Sequence, residues 1–226
     1  ARERHSRLYR TVMAGAGGRV GYQKQFDGFK KATKLGYPIV NLGDGGGARI
    51  PDIMGATGMM SMTYPVDGEA RNRYVPQIAT IMGECYGGPT WTASVSDIVI
   101  QVKGSIMAVA GPAILHVATG ERTDAEALGG WEHHAYNTGL VDLFAEDDQQ
   151  CLQQVRHVLS YFPSNADHLP SVLPATTQSS TTQDDMIDLV PTDPKAVYDM
   201  HHVLELWADT DSVLELKPFY DGSLIT

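Results

Sequence analysis

The chain has 226 residues, of which 42% are hydrophobic, and its 17 basic and 27 acidic residues give a net charge of −10. This length fits one good-sized domain, or one domain plus a fragment. The acidic balance argues against nucleic acid as the main partner, because binding to a phosphate backbone needs a basic face. No apolar run approaches the roughly 18 residues that span a membrane, and the basic N-terminal residues have no apolar segment behind them. With two cysteines, too few for a disulfide framework, we expect a cytoplasmic protein without a membrane partner.

Residues 11–165 alternate short β-like runs, glycine turns and amphipathic segments. In chain order, the pattern predicts strands at 11–14, 38–42, 77–82, 98–102 and 106–110. It predicts helices at 23–35, 51–62, 90–96, 112–119 and 147–161. Strands that alternate with helices are typical of a layered α/β domain.

The composition changes after residue 165. Residues 166–190 are rich in proline, serine and threonine and have little to bury, which predicts a linker. Beyond it, the pattern predicts a helix at 199–208 and a short strand at 213–216. We therefore divide the chain into a domain at 1–165, a linker at 166–190 and, at 191–226, the beginning of a second domain or docking tail.

Two predicted strands run directly into glycine-rich turns that precede predicted helices. The first corner is Gly43–Ile50 and the second corner is Gly83–Trp91. Glycines at such a turn let a ligand reach main-chain N–H groups, and the start of a helix adds positive potential. Two such corners can converge on one electron-rich oxygen, such as a thioester carbonyl that becomes an enolate. The alternative interpretation is tight packing between strand and helix.

The sequence lacks the common motifs of nucleotide sites, metal sites and catalytic nucleophiles. It has no G-x-G-x-x-G, no phosphate-binding P-loop and no G-x-S-x-G elbow. Its histidine doublets lack the spacing that places two imidazoles on one metal, so we expect no metal. Cys85 is better explained as a small buried thiol than as a nucleophile, because no histidine partner can be assigned to it.

Several segments resemble one enzyme family in the same order along the chain. Gly43-Asp-Gly-Gly-Gly-Ala-Arg-Ile50 resembles the family's N-D-x-G-G-A-R-I stretch, and Gln77-Ile-Ala-Thr-Ile-Met-Gly-Glu-Cys-Tyr-Gly-Gly88 resembles its P-Q-I-S-x-I-x-G-x-C-x-G-G stretch. Glu126-Ala-Leu-Gly-Gly130, followed by His134, resembles E-E-L-G-G-A-x-x-H. The family is the carboxyltransferase (β) subunits of biotin-dependent acyl-CoA carboxylases, of the propionyl- and acetyl-CoA carboxylase type, a branch of the crotonase-like superfamily.

The resemblance implies a fold and a set of site residues. The fold is a crotonase-like ββα-spiral domain of the α/β class, the N-terminal carboxyltransferase half, followed by a linker and the start of a second half. The implied catalytic groups are the amides of Gly87 and Gly88, which hold the acyl oxygen. The implied substrate contacts are Gly46, Gly47 and Ala48 along the pocket, Arg49 toward a phosphate or carboxylate, and Lys24 toward a CoA phosphate. Tyr86 replaces a smaller or different residue of the family, and we expect it to narrow the acyl pocket.

The resemblance also implies cofactors and partners. The substrate is an acyl-CoA, and the cofactor is biotin on a carboxyl carrier protein that a biotin carboxylase subunit charges. In the family mechanism carboxybiotin releases CO2 and its ureido nitrogen takes the α-proton, so no side-chain base is required. We expect a homo-oligomer or a hetero-oligomer with a second carboxyltransferase half, because the family's active site lies between subunits.

Two departures from the family pattern leave other functions open. Pro89 follows the glycine pair where the family usually has alanine, and proline has no N–H. The family's second half, which carries the biotin-side glycine pair, is not part of this sequence. The alternatives are a biotin-independent acyl-CoA decarboxylase of the same fold and a non-catalytic CoA-binding or assembly subunit.

Overall fold

The computed structural model describes residues 11–55, 58, 74–172, 187–209 and 211–220. The chain divides into two compact units, Ala1–Ser171 and Val172–Thr226. In the first unit the strands are β1 Ile39–Gly45, β2 Gln77–Tyr86, β3 Ile98–Val102, β4 Ile106–Ala108 and β5 Leu143–Ala145. Its helices are α1 Arg19–Lys34, α2 Ile50–Ile53, α3 Gly88–Ser94, α4 Pro112–Thr119, α5 Ala125–Gly129, α6 Trp131–His133 and α7 Asp148–Ser160. A π-helical turn, His134–Thr138, follows α6 directly.

The described strands form one parallel sheet in the order β1-β2-β3-β5, and β4 also pairs with β2. Strand β2 is long enough to have two successive neighbours on one side. Its first half pairs with β3, where Ile78 lies opposite Ile98, and its second half pairs with β4, where Tyr86 lies opposite Ala108. The turn between β3 and β4 passes through Gly104 at φ +79°, a conformation that glycine adopts without strain. The parallel sheet between helices confirms the predicted α/β class.

The core lies around β2 and β3. Ile78, Ile81 and Ile100 are fully buried, and burial of each such side chain contributes about 1.5–3 kcal/mol. Helix α7 covers this part of the sheet with a stripe of three buried residues, Cys151, Val155 and Val158. Asp147 caps that helix, since its carboxylate accepts the N–H of Gln150 at 2.8 Å.

Several predicted elements differ from the structure. The strand predicted at 11–14 is wrong: a 3₁₀ turn at Met13–Gly15 occupies this position, with Met13 at φ 51° and Ala14 at φ 54°. Helix α1 begins at Arg19, earlier than predicted, because Gly18 is extended and forms its N-cap. The helix predicted at 51–62 is interrupted, because α2 ends at Ile53 and Met54 is extended. Residues 55 and 58 are helical again, and the other residues from 56 to 62 lie outside the described ranges.

In the second unit, helix α8 spans Met200–Trp207, as the sequence pattern predicted. Asp199 is its N-cap and accepts the N–H of His201 at 2.9 Å. The strand predicted at 213–216 is wrong, since this described segment has no regular structure. The domain limits at 165 and 190 remain predictions.

Candidate active site at two glycine corners

The second corner turns sharply where β2 ends and α3 begins. Tyr86 is the last residue of the strand, and Gly88 is the first of the helix. Between them Gly87 has φ 67° and ψ −113°, a backbone conformation that side chains rarely allow. A Cβ on Gly87 would have ordinary contacts of 3.8 Å and 3.9 Å with its neighbours. The backbone conformation, and not lack of space, therefore requires glycine at this position.

Hydrogen bonds to β4 hold this corner in place. The Thr90 hydroxyl lies 2.9 Å from the carbonyl oxygen of Cys85 and 2.8 Å from that of Ala108, and it is buried. The N–H of Gly87 also donates to the Ala108 oxygen, at 3.2 Å, and the Trp91 N–H closes the first helical turn onto the Gly87 oxygen at 2.9 Å. The corner is thus attached to two neighbouring strands.

The amides of the glycine pair differ in availability. The Gly87 N–H is engaged with Ala108, whereas the Gly88 N–H has no acceptor among the described residues. Pro89, the next residue, has no N–H. Gly88 is half-buried. Of the two predicted catalytic amides, that of Gly88 has no acceptor among the described residues, and that of Gly87 fixes the turn.

The first corner lies directly beside the second. The Cα of Gly47 is 3.9 Å from the Cβ position of Gly87, and a Cβ on Gly47 would come within 2.8 Å of the Tyr86 carbonyl oxygen. Gly47 is buried and has φ +86°, so both space and backbone conformation require glycine. The N–H of Gly46 donates to the Ala14 oxygen at 2.9 Å, and Ala48 bridges to Gly17 in parallel register. The segment before α1 therefore forms the outer wall of this corner.

The two predicted cationic contacts, Arg49 and Lys24, lie in different positions relative to the corners. The Arg49 guanidinium lies 3.7 Å from the Asp52 carboxylate, and both side chains are about one-third exposed. Its Nε is buried and has no partner among the described residues. Lys24 is exposed on α1, two residues after Tyr22, which places it about 200° around the helix from that side chain. The structure thus brings Arg49 near the corners and places Lys24 on a different face of α1.

Two tyrosines flank the glycine pair. The ring of Tyr86 packs over Gly111, whose Cβ position lies 3.6 Å from the ring. The ring of Tyr22 fills the space between Gly17 and Gly88, so that its hydroxyl lies at the second corner. Sequence reasoning missed Tyr22, although glycine at position 17 leaves the room that this ring occupies. It also missed Thr90, since a threonine inside a short helix has no distinguishing pattern.

A buried histidine supports the strand behind the corner. His134 Nε2 lies 2.9 Å from the Met107 carbonyl oxygen and Nδ1 lies 2.9 Å from the Thr138 hydroxyl. Because the carbonyl can only accept, Nε2 carries the proton and Nδ1 accepts from the hydroxyl. Burial lowers the pKa of His134. The neutral ring therefore anchors the π-helical turn to β4, one residue before the Ala108 oxygen that holds Gly87.

Among the described residues, neither the cysteines nor a group of metal-binding side chains forms a second reactive centre. Cys85 and Cys151 are fully buried, and burial raises the pKa of the Cys151 thiol to about 11. Among the described residues, no three His, Cys, Asp or Glu side chains are grouped so that they could hold a metal ion. A cavity of about 310 Å³ lies on α5 and α6, lined by Glu126, Ala127, Glu132, His133, Tyr136 and Asn137, none of which belongs to either corner. In the part of the chain that the structure describes, no helix is long and apolar enough to cross a bilayer.

Comparison with known proteins identifies the fold and the family. The structure matches that of transcarboxylase 12S, a hexameric multienzyme core with methylmalonyl-coenzyme A and methylmalonic acid bound, at a TM-score of 0.82 and 30% identity over 96% of this chain and 42% of that one. The fold is therefore that of the crotonase-like carboxyltransferases. The family model for the carboxyl transferase domain matches residues 7–226. The chain belongs to the carboxyl transferase family, as its motifs predicted.

Curated relatives include both carboxylases and decarboxylases. Methylmalonyl-CoA decarboxylase subunit alpha of Veillonella parvula is 33% identical over 219 residues, which cover 96% of this chain and 42% of the relative. The carboxyltransferase subunit of propionyl-CoA carboxylase from Haloferax mediterranei is 32% identical over 216 residues, which cover 95% of this chain and 42% of the relative. The chain thus spans about two fifths of the length of these relatives.

Proposed function

We propose that this chain is the acyl-CoA-binding part of a carboxyltransferase that transfers CO2 from carboxybiotin to the α-carbon of a short-chain acyl-CoA. The observation that carries the proposal is the Gly88 N–H, which has no acceptor among the described residues and lies at a turn beside the first corner. The acyl oxygen of a thioester accepts such a bond and gains charge when the α-proton leaves. A donor aimed at this oxygen lowers the barrier by about 3–4 kcal/mol.

The residues around Gly88 have separate tasks in this proposal. Gly87 sets the backbone direction, and its N–H fixes the turn to β4. Gly47, with Gly46 and Ala48, lines the acyl side of the pocket, and Tyr86 limits its width. Arg49 lies where it can meet a phosphate or carboxylate of the substrate, while Lys24 is exposed and free to approach a CoA phosphate from its own face of α1.

Biotin on a carrier protein supplies CO2 and accepts the α-proton when it is bound. The described residues fit the acyl side of this reaction, because the second corner presents one unengaged amide. The family resemblance assigns the biotin-side glycine pair to a second half, so we assign no biotin contact to this chain. The chain then binds and polarises the thioester, and a partner half completes the site.

The surface next to the corner supports such a partner. Val109, just after β4, and Ile114 and Val117 of α4 are apolar and 62–87% exposed. The N-cap of α4, Gly111, contacts Tyr86. We propose that a second carboxyltransferase half covers this patch in a homo- or hetero-oligomer. Replacing Val117 by glutamate should then weaken assembly in analytical ultracentrifugation, whereas Thr119→Glu at the exposed end of the same helix should not.

The proposal is tested by acyl-CoA-dependent fixation of radiolabelled bicarbonate. The assay contains the full polypeptide, a biotin carboxylase, a biotinylated carrier and any separately encoded second half. Fixation that requires the carrier and an acyl-CoA supports the proposal. Protein that binds no CoA ester in calorimetric titration overturns it and leaves only an assembly role.

A second function has specific support. Two relatives, at 33% and 30% identity, are methylmalonyl-CoA decarboxylase subunits, and Pro89 removes an amide that the family usually has. Decarboxylation of methylmalonyl-CoA or malonyl-CoA runs the same enolate chemistry in reverse. Turnover by the chain without biotin would identify a biotin-independent decarboxylase. Turnover that requires the biotinylated carrier would instead support carboxyl transfer.

A further inference from the structure

Tyr22 lies between the two segments that form the site. A Cβ on Gly17 would come within 2.6 Å of its ring carbon Cε2, and a Cβ on Gly88 within 2.8 Å of its hydroxyl oxygen. Both distances are shorter than real Cβ contacts, so this ring position requires glycine at both places. The ring also contacts Phe26 at 6.5 Å between centroids, one turn along α1. The hydroxyl is therefore held at the second corner by packing on both sides.

The Tyr22 hydroxyl and the Gly88 amide can reach the same atom. Bond geometry places the Gly88 nitrogen about 2.5 Å from its own Cβ position. With the hydroxyl oxygen 2.8 Å from that position, the nitrogen and the oxygen are at most about 5.3 Å apart. Two donors separated by less than about 5.8 Å can both lie within hydrogen-bond distance of one acceptor oxygen. An oxygen bound to the Gly88 N–H can thus meet the Tyr22 hydroxyl as well.

We propose that Tyr22 is a catalytic residue, whose hydroxyl donates a second hydrogen bond to the acyl oxygen at Gly88. The assignment rests on the proposed function, because it needs a thioester at this corner. Gly87 cannot supply that bond while its N–H is engaged with Ala108, and Pro89 has no N–H to supply. The hydroxyl stabilises the developing enolate oxygen as a neutral donor and keeps its own proton.

A packing role for Tyr22 predicts a different result from a catalytic one. Tyr22→Phe keeps the ring between Gly17 and Gly88 and removes only the hydroxyl. If Tyr22 only packs, this variant keeps the wild-type turnover, and the bound carbonyl is polarised as in the wild type. If its hydroxyl donates to the acyl oxygen, the loss falls on kcat, because the bond strengthens in the transition state, and KM changes little.

The experiment compares Tyr22→Phe with Tyr37→Phe in the full polypeptide and its carboxylase assembly. Tyr37 follows α1 and is 43% exposed, so its hydroxyl is a matched control. We expect kcat to fall about 100-fold in Tyr22→Phe, as for loss of one oxyanion donor, and to stay unchanged in Tyr37→Phe. We also expect the carbonyl stretch of a ¹³C-labelled propionyl-CoA bound to Tyr22→Phe to move to higher frequency, since the carbonyl is less polarised.

Each result decides the assignment. A lower kcat together with the carbonyl shift in Tyr22→Phe supports it. If Tyr22→Phe has wild-type turnover and an unchanged carbonyl stretch, the proposed role of Tyr22 is overturned and the proposed function remains intact. Wild-type protein that neither binds nor converts a CoA thioester overturns both.

Discussion

Proline at position 88 removes the amide hydrogen on which the proposed chemistry depends and preserves the main chain. Gly88 is the first residue of α3, where proline is well tolerated. Gly87 has φ 67° and ψ −113°, the mirror image of the extended conformation that precedes proline, and glycine adopts either form. Gly88→Ala is the matched control, because it keeps the N–H. Both variants place a Cβ near the Tyr22 hydroxyl, at 2.8 Å, so they share the steric cost.

The expected difference between the two variants follows from the loss of one donor. An amide that stabilises an oxyanion contributes about 10²–10³ in kcat, or about 3–4 kcal/mol. We therefore expect Gly88→Pro to have a kcat lower than that of Gly88→Ala by this factor, with little difference in KM. The measurement is steady-state carboxylation of acyl-CoA by the assembled enzyme, with thermal denaturation of both variants to show that they fold equally well.

Equal turnover by the two variants would refute the reasoning. If both melt at the same temperature and have the same kcat, the Gly88 N–H does not contact the reacting oxygen. The second corner would then serve only to pack β2 against α3, which is the alternative that the sequence left open.

Three further substitutions test the scaffold of the site. Gly47→Ala should destabilise the fold by more than the roughly 1–2 kcal/mol that a positive φ costs, measured by urea denaturation. Thr90→Val should lower the free energy of unfolding by about 1–3 kcal/mol, because it leaves two buried carbonyl oxygens without the hydroxyl. Burial lowers the pKa of His134, so the folded state binds fewer protons than the unfolded state, and the stability from the neutral ring is lost as the pH falls below about 6.5. His134→Gln should flatten this acid-induced loss in urea titrations between about pH 7.5 and 5.

The first two of these substitutions have internal controls. Gly120→Ala has the same kind of strain, with φ +80°, but nothing lies within 4 Å of its Cβ position, so it should cost less than Gly47→Ala. Thr119→Val removes an exposed hydroxyl that donates to Leu115 at 3.0 Å and should change stability by less than about 0.5 kcal/mol. Equal losses within either pair, or an unchanged acid dependence in His134→Gln, would contradict the structural explanation.

Much of the secondary structure could be predicted because it is coded locally. Strand β3 matches its predicted limits, and α7 has the predicted apolar stripe and an Asp147 cap. The pattern failed where a strand depends on a partner. Strand β2 continues past 82 to Tyr86 because its second half pairs with β4, and this pairing is not visible in the sequence. Residues 213–216 also have the apolar pattern of a strand. They pair with no strand in the described structure, however, and they form no strand.

The family, the α/β class and the positions of the two glycine corners follow from the amino-acid sequence, because glycines, apolar runs and motif spacing are local properties. How the amides of the glycine pair are used depends on the three-dimensional arrangement of the strands. The Gly87 N–H meets the Ala108 oxygen across a strand pairing between residues more than twenty positions apart, whereas the Gly88 N–H meets no acceptor among the described residues. Tyr22 likewise reaches Gly88 from a helix more than sixty residues earlier. Hydrogen bonds and packing depend on distances in space, and distances between remote segments are fixed only when the sheet assembles.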